Sequence, residues 1–203
     1  YTVTGSLSKA WLDLMLAANI PPKGRMTLAP MLKEDGKVIG DFSVASLDDD
    51  RFLIIGSGAA ESYHMRWFLR HLPDDGSVKL ISHNLDLVGL TLAGPNARAV
   101  LQASTDEDVS HAAFKFMAVR EMDIGMVPAI VGRVSFTGDL GYEIWVKPEY
   151  LVNLFDQLMA AGAPHDIQLF GARALNALRL EKNFGTWARE YRPIYGPVET
   201  GLE

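Results

Sequence analysis

Three side chains sit where an ordinary soluble fold disfavours them. Asp41 lies within Val38-Ile39-Gly40-Asp41-Phe42-Ser43-Val44, an otherwise apolar run of strand character. A carboxylate in mid-strand goes against propensity and is costly if buried unpaired. Alternation places Ile39, Asp41 and Ser43 on one face. The acid is then either a solvent-facing strand residue or part of a pocket wall, placed to hold or move a proton on an amine or cationic substrate. Glu143 poses the same question within Leu140-Gly141-Tyr142-Glu143-Ile144-Trp145-Val146. A buried carboxylate there suits a ligand offering two parallel N–H donors, as a 2-aminopyrimidinone does. Arg173, in Phe170-Gly171-Ala172-Arg173-Ala174-Leu175, approaches the last predicted helix and can pair with a carboxylate or carbonyl. Singly each is compatible with a structural role, but two strand carboxylates and a helix arginine together make a candidate site.

Other patterns carry less. Ile54-Ile55-Gly56-Ser57-Gly58-Ala59-Ala60-Glu61 offers a strand, Gly-x-Gly and a helix, but Glu61 stands where a dinucleotide fingerprint wants its third glycine. It reads as a strand-to-helix turn. The histidines, His64, His71, His83, His111 and His165, show no metal-ligand spacing. His64 and His71 share a helix face and read as half-exposed surface. No Gly-x-Ser-x-Gly elbow supports a serine nucleophile. With no cysteine there is no disulfide framework, zinc-thiolate site or iron–sulfur cluster.

The 203 residues are 48% hydrophobic and 22% charged, a globular rather than a disordered composition. No apolar run is long enough to span a bilayer. A net charge of −6 argues against a nucleic-acid surface. Any anionic ligand must then be held by a local group of cations rather than a global field. The chain opens at Tyr1 inside a strand pattern and closes without an end signal, so it reads as a piece of a longer polypeptide.

Those residues need elements to position them. The pattern predicts a helix over 7–18 capped by Ser6, a meander of strands at 26–32, 37–47 and 51–55, and a helix over 59–71. It then predicts a strand at 87–92, a helix at 97–103, a second short helix, strands at 130–136 and 141–146, and helices near 149–161 and 169–184. Val3-Thr4-Gly5-Ser6-Leu7 and Leu92-Ala93-Gly94-Pro95-Asn96 open two similar halves. The expected fold class is α+β, with two antiparallel-sheet units carrying helices, one over 1–85 and one over 86–203.

The motifs together resemble a known family. Phe136-Thr137-Gly138-Asp139-Leu140-Gly141-Tyr142-Glu143-Ile144 is similar to the T-G-E-x-G-Y-E-I signature of glycine-cleavage T-proteins, the aminomethyltransferases. The 173–181 segment, ending Leu178-Arg179-Leu180-Glu181, resembles their A-R-D-x-L-R-L-E helix. The 37–44 strand resembles G-G-I-x-D-D-L-x-V, and Leu92-Ala93-Gly94-Pro95-Asn96-Ala97-Arg98 matches L-x-G-P-x-A-R. Leu140 and the 181–190 run look more like the folate domains fused to dimethylglycine and sarcosine dehydrogenases. Pro197-Val198-Glu199-Thr200-Gly201-Leu202 resembles the segment leading into a C-terminal barrel that this chain lacks.

The resemblance implies tetrahydrofolate as ligand, and FAD in an upstream flavin domain of the parent enzyme but not on this chain. It implies capture of an iminium-derived one-carbon unit as 5,10-methylenetetrahydrofolate. Asp41 would be the catalytic acid near the folate N5/N10 edge. Glu143 would accept bidentate hydrogen bonds from the pterin, with Arg173 beside that site and Tyr142 packed against the ring. The implied partners are the flavin domain and the barrel, with no nucleic acid, membrane or metal, in bacterial cytoplasm or mitochondrial matrix. Gly40, Asp139 and Ala174 depart from the family's usual acids; Ala174 loosens the support of Arg173. A stand-alone aminomethyltransferase, a folate-dependent demethylase or a non-catalytic folate-sensing protein are the rival readings.

Overall fold

The computed structural model describes residues 1–187 and 189–202. Ala188, within the 181–190 run, and Glu203 lie outside the described residues. The chain divides into two compact units, Tyr1–Asn84 with Gly185–Glu203, and Leu85–Phe184.

In the first unit, β1 (Thr2–Thr4), β2 (Met26–Leu32), β3 (Val38–Asp48), β4 (Arg51–Ile55) and β5 (Lys79–Ile81) form one antiparallel sheet in the order β2-β3-β4-β1-β5. Helices α1 (Ser8–Met15) and α2 (Glu61–Arg70) bring Trp11, Leu12, Met15 and Phe68 against Val3, Phe42, Phe52 and Ile54 of the strands. Burial of such side chains contributes about 1.5–3 kcal/mol apiece and holds the helices down. Pro30, whose missing N–H would interrupt an inner ladder, lies on edge strand β2 opposite Asp41.

The second unit repeats the plan. Here β6 (Val88–Ala93), β7 (Val119–Ile124), β8 (Val127–Gly132) and β9 (Gly141–Val146) are ordered β6-β9-β8-β7. Helices α3 (Ala97–Ala103) and α4 (Leu151–Gly162) cover a core that includes Leu101, Phe114, Ile124, Val131, Tyr142 and Leu154. In each unit a first strand leads through glycine into a helix, and a three-stranded meander returns to pair its last strand with the first. The glycines match in detail. Gly5 has φ +120° and Gly94 +123°, and their carbonyls accept from Ser8 and Ala97 at 3.0 and 3.1 Å. A Cβ at Gly5 would sit 2.2 Å from the Ser77 carbonyl oxygen, so this turn admits no side chain. The α+β class and the two similar units are those the sequence predicts.

Details differ. Residues 119–124, which lie between the helix at 97–103 and the strand expected at 130–136, form a strand, β7, that the sequence pattern does not predict. It forms a hairpin with β8 through Gly125 at φ +59°, and β8 runs over 127–132 rather than 130–136. Met122 and Ile124 are buried between exposed Glu121 and Asp123, an alternation confined to the end of the strand, and the pairing with β8 is what makes the rest of it strand. Leu7, not Ser6, occupies the cap position of α1, with no side-chain bond. The last helices are α5 (Ala172–Glu181) and α6 (Pro197–Thr200). Segment 185–203 groups with the first unit instead of completing an 86–203 half. The Val38 N–H donates to the Tyr195 carbonyl at 2.9 Å, and the Trp187 ring lies 5.8 Å from that of His64.

Candidate functional site

On β9, Glu143 is the one half-buried position in a strand that is otherwise buried throughout. Its cross-strand neighbours are Thr91 on β6 and Gly132 on β8. Trp145, two residues along and so on the same face, pairs with Gly89, where a Cβ would lie 2.9 Å from the indole Cδ1. The glycine leaves room for the ring. Burial pushes the Glu143 carboxyl up to about 7. No hydrogen bond or ion pair within the described residues engages it. A carboxylate with raised proton affinity and unused lone pairs fits a ligand that brings its own N–H donors.

Asp41 belongs to the first unit. On β3 its neighbours Gly40 and Phe42 turn toward His64 and the core, so Asp41 faces the other way, half-buried, opposite Pro30. Burial raises its carboxyl to about 6, against a small opposing contribution from its own amide. It is therefore poised to exchange a proton near neutrality.

The other two expected residues fare differently. Tyr142 is wholly buried, stacked on Phe114 with ring centroids 5.9 Å apart. The two-residue period of β9 that turns Glu143 outward turns the Tyr142 ring into the core, on the opposite face of the strand from Glu143. Arg173 stands exposed in the first turn of α5, and no hydrogen bond or ion pair in the described residues ties it to Glu143. The helix arginine that is buried is Arg179. Its Nε and Nη2 donate to Asn176 Oδ1 at 3.1 and 2.9 Å, and its Nη1 donates to the Phe184 carbonyl at 2.7 Å. It ties the end of α5 to the turn that follows. The apolar flanks Leu178 and Leu180 were the available sign of it.

His64 is also not the half-exposed group expected. Its ring is fully buried, 4.7 Å from Phe42, with Nδ1 3.2 Å from the Tyr1 hydroxyl. Burial lowers its pKa to about 4. The same packing accounts for Gly40, one of the departures from the family pattern. A Cβ there would lie 2.6 Å from the Phe42 ring and 3.3 Å from His64 Nε2.

Two clefts of the second unit border β6 without being lined by any of the four expected residues. One, about 360 Å³, includes Thr91, the cross-strand partner of Glu143, with Phe155, Phe170 and Leu175. The other, about 390 Å³, includes Gly94, Thr137, Asp139 and Leu178 from three of the motifs.

The same sheet-and-helix plan, built twice with a matching strand order, gives the chain its α+β class. The model of the GCVT N-terminal domain family matches residues 1–203, and the chain belongs to that family. It is 35% identical over 206 residues to human mitochondrial dimethylglycine dehydrogenase, covering 100% of this chain and 24% of that protein. It is 30% identical over 205 residues to an aminomethyltransferase of Geobacillus, covering 100% of this chain and 55% of that one. The crystal structure of the glycine cleavage system aminomethyltransferase T from Bartonella henselae has the same fold, with a TM-score of 0.84 at 20% identity over 97% of this chain and 52% of that chain. The chain thus spans about a quarter of the dehydrogenase and about half of the transferases it matches. No helix in the described residues is long and apolar enough to cross a membrane.

Proposed function

We propose that this chain is the tetrahydrofolate-binding, one-carbon-transfer domain of a flavin-linked dehydrogenase of dimethylglycine or sarcosine type. The observation that carries the reading is Glu143, half-buried on a strand, drawn up to about 7 and bonded to nothing, where a pterin's amine and ring N–H would complete it. Glu143 holds the pterin edge by two parallel hydrogen bonds. Asp41, with its proton affinity near 6, holds or releases a proton at the amine nitrogens of the bound folate. Tetrahydrofolate supplies the nucleophilic nitrogens that take up the one-carbon unit as 5,10-methylenetetrahydrofolate. An iminium hydrolyses in water, so a protected route from the site of amine oxidation to folate is useful. FAD belongs to another part of such a parent enzyme. Arg173, exposed in this chain, is assigned to the rim of the pterin site, where ligand or a neighbouring domain gives it a partner.

A second reading, a stand-alone aminomethyltransferase, is favoured by the 30% identity to the Geobacillus enzyme. An intact gene product without an upstream flavin domain decides for it.

The test is calorimetric titration with tetrahydrofolate under reducing conditions. The chain binds, and Glu143→Ala loses about 2 kcal/mol or more, the cost of removing a charged bidentate acceptor. Absence of binding, or binding that Glu143→Ala leaves intact, overturns the reading.

A further inference from the structure

On the core-facing side of the second unit's sheet, away from Glu143, arginine charges gather with no acid among them. Arg133 follows β8 directly and is only 8% exposed. Its Nη1 donates to the Phe114 carbonyl at 2.8 Å, and its Nη2 lies 3.2 Å from His111 Nδ1. Its Nε is buried and bonded to nothing. Arg98, the second residue of α3, lies close enough for its charge to oppose that of Arg133, and its Nε too is buried without a partner. The Tyr142 hydroxyl, which also interacts with Arg133, is a third orphan. Burial and the neighbouring Arg98 charge hold the Arg133 guanidinium below its ordinary pKa. Arg120, over the Phe114 ring at 5.1 Å, has Glu107 at 3.8 Å, but no carboxylate within the described residues pairs with Arg98 or Arg133.

Buried guanidinium N–H groups left unpaired are costly, and two like charges side by side add to the cost. Water would satisfy the N–H groups but leave the charge. An oxyanion does both, because its oxygens match the fork of planar donors that arginine presents. His111 is exposed, so the cluster opens to solvent on that side. The net charge of −6 supplies no general attraction, which makes an unneutralised pair of arginines the more telling. We infer that Arg98, Arg133 and the Tyr142 hydroxyl, with His111 at the rim, form a binding site for a small oxyanion, a phosphate or carboxylate group. The site is separate from Glu143: residues 142 and 143 project to opposite faces of the sheet.

The experiment titrates the chain with inorganic phosphate and, separately, acetate, with ionic strength held constant by chloride. Calorimetry gives the affinity, and the arginine Nε–H resonances report the contact. Phosphate or acetate binds saturably and shifts the Nε–H signals of both arginines; the tighter of the two names the ligand class. Arg98→Gln weakens that binding about tenfold or more, as loss of one charged hydrogen bond requires. This variant removes no hydrogen bond seen in the structure, whereas Arg133→Gln would release the Phe114 carbonyl and risk the fold. Arg98→Gln leaves tetrahydrofolate binding unchanged, so failure here is distinguishable from failure of the folate reading. Absence of binding by both anions, an equal response to chloride, or an affinity indifferent to Arg98→Gln overturns the proposal.

Discussion

Replacing Glu143 with glutamine tests whether its environment is what the structure describes, with no ligand needed. The carboxyl is moved by burial from its ordinary 4.5 to about 7. At about 1.4 kcal/mol for each tenfold change in proton affinity, the full effect is about 3 kcal/mol. Glu143 is only half-buried, so screening by water brings the expected figure to about 1.5 kcal/mol. The sign follows from proton counting. Between pH 4.5 and 7 the folded chain holds more protons at this site than the unfolded chain, so stability falls as pH rises. The contribution is fully present below 4.5 and lost as pH passes through 7. Glutamine keeps the shape and cannot ionise. Subtracting the variant's urea-unfolding profile from that of the parent cancels the other titrating groups, including Asp41 and His64. The difference should move against the parent by about 1.5 kcal/mol from pH 5 to 8. Parallel profiles, or a parent that gains on the variant as pH rises, would refute the burial argument.

Three further outcomes follow from the same geometry. The His64 imidazole, lowered to about 4 with burial as the cause, should show no NMR titration between pH 8 and 5. A midpoint near 6.5 would mean its cage is open to water. Gly5→Ala should cost about 2 kcal/mol or more, because the backbone has φ +120° and the Cβ meets the Ser77 carbonyl. Gly36→Ala, at φ +76° with open space around the Cβ, should cost about 1 kcal/mol, and thermal unfolding of both variants checks the order. Tyr142→Phe should leave tetrahydrofolate affinity within about twofold, since its ring lies in the core; a loss as large as that of Glu143→Ala would return it to the ligand pocket.

Much of the fold was legible because it is written in local periods. Strand β2 ran over the expected residues, and the glycines at 5 and 94 marked equivalent turns, since only glycine takes those dihedrals without strain. Strand β7 was not legible. Val119-Arg120-Glu121-Met122-Asp123-Ile124 alternates imperfectly, and its strand character comes from pairing with Val127–Gly132. Among the candidate residues, Asp41 and Glu143 announced themselves as acids amid apolar strands, whereas the buried state of His64 did not. A histidine on a polar helix gives no local sign that Phe42, Tyr1 and Trp187 enclose it.

The sequence by itself determined the family, the repeated α+β plan and the acids worth watching, because motif order, strand period and glycine placement are properties of the linear chain. Only the tertiary structure decided which way the neighbouring Tyr142 and Glu143 point, that Arg179 rather than Arg173 is the buried arginine of α5, and that Arg98 and Arg133, thirty-five positions apart, come together without an acid. Burial and charge proximity are sums over neighbours that are distant in sequence, and no window of the chain contains them.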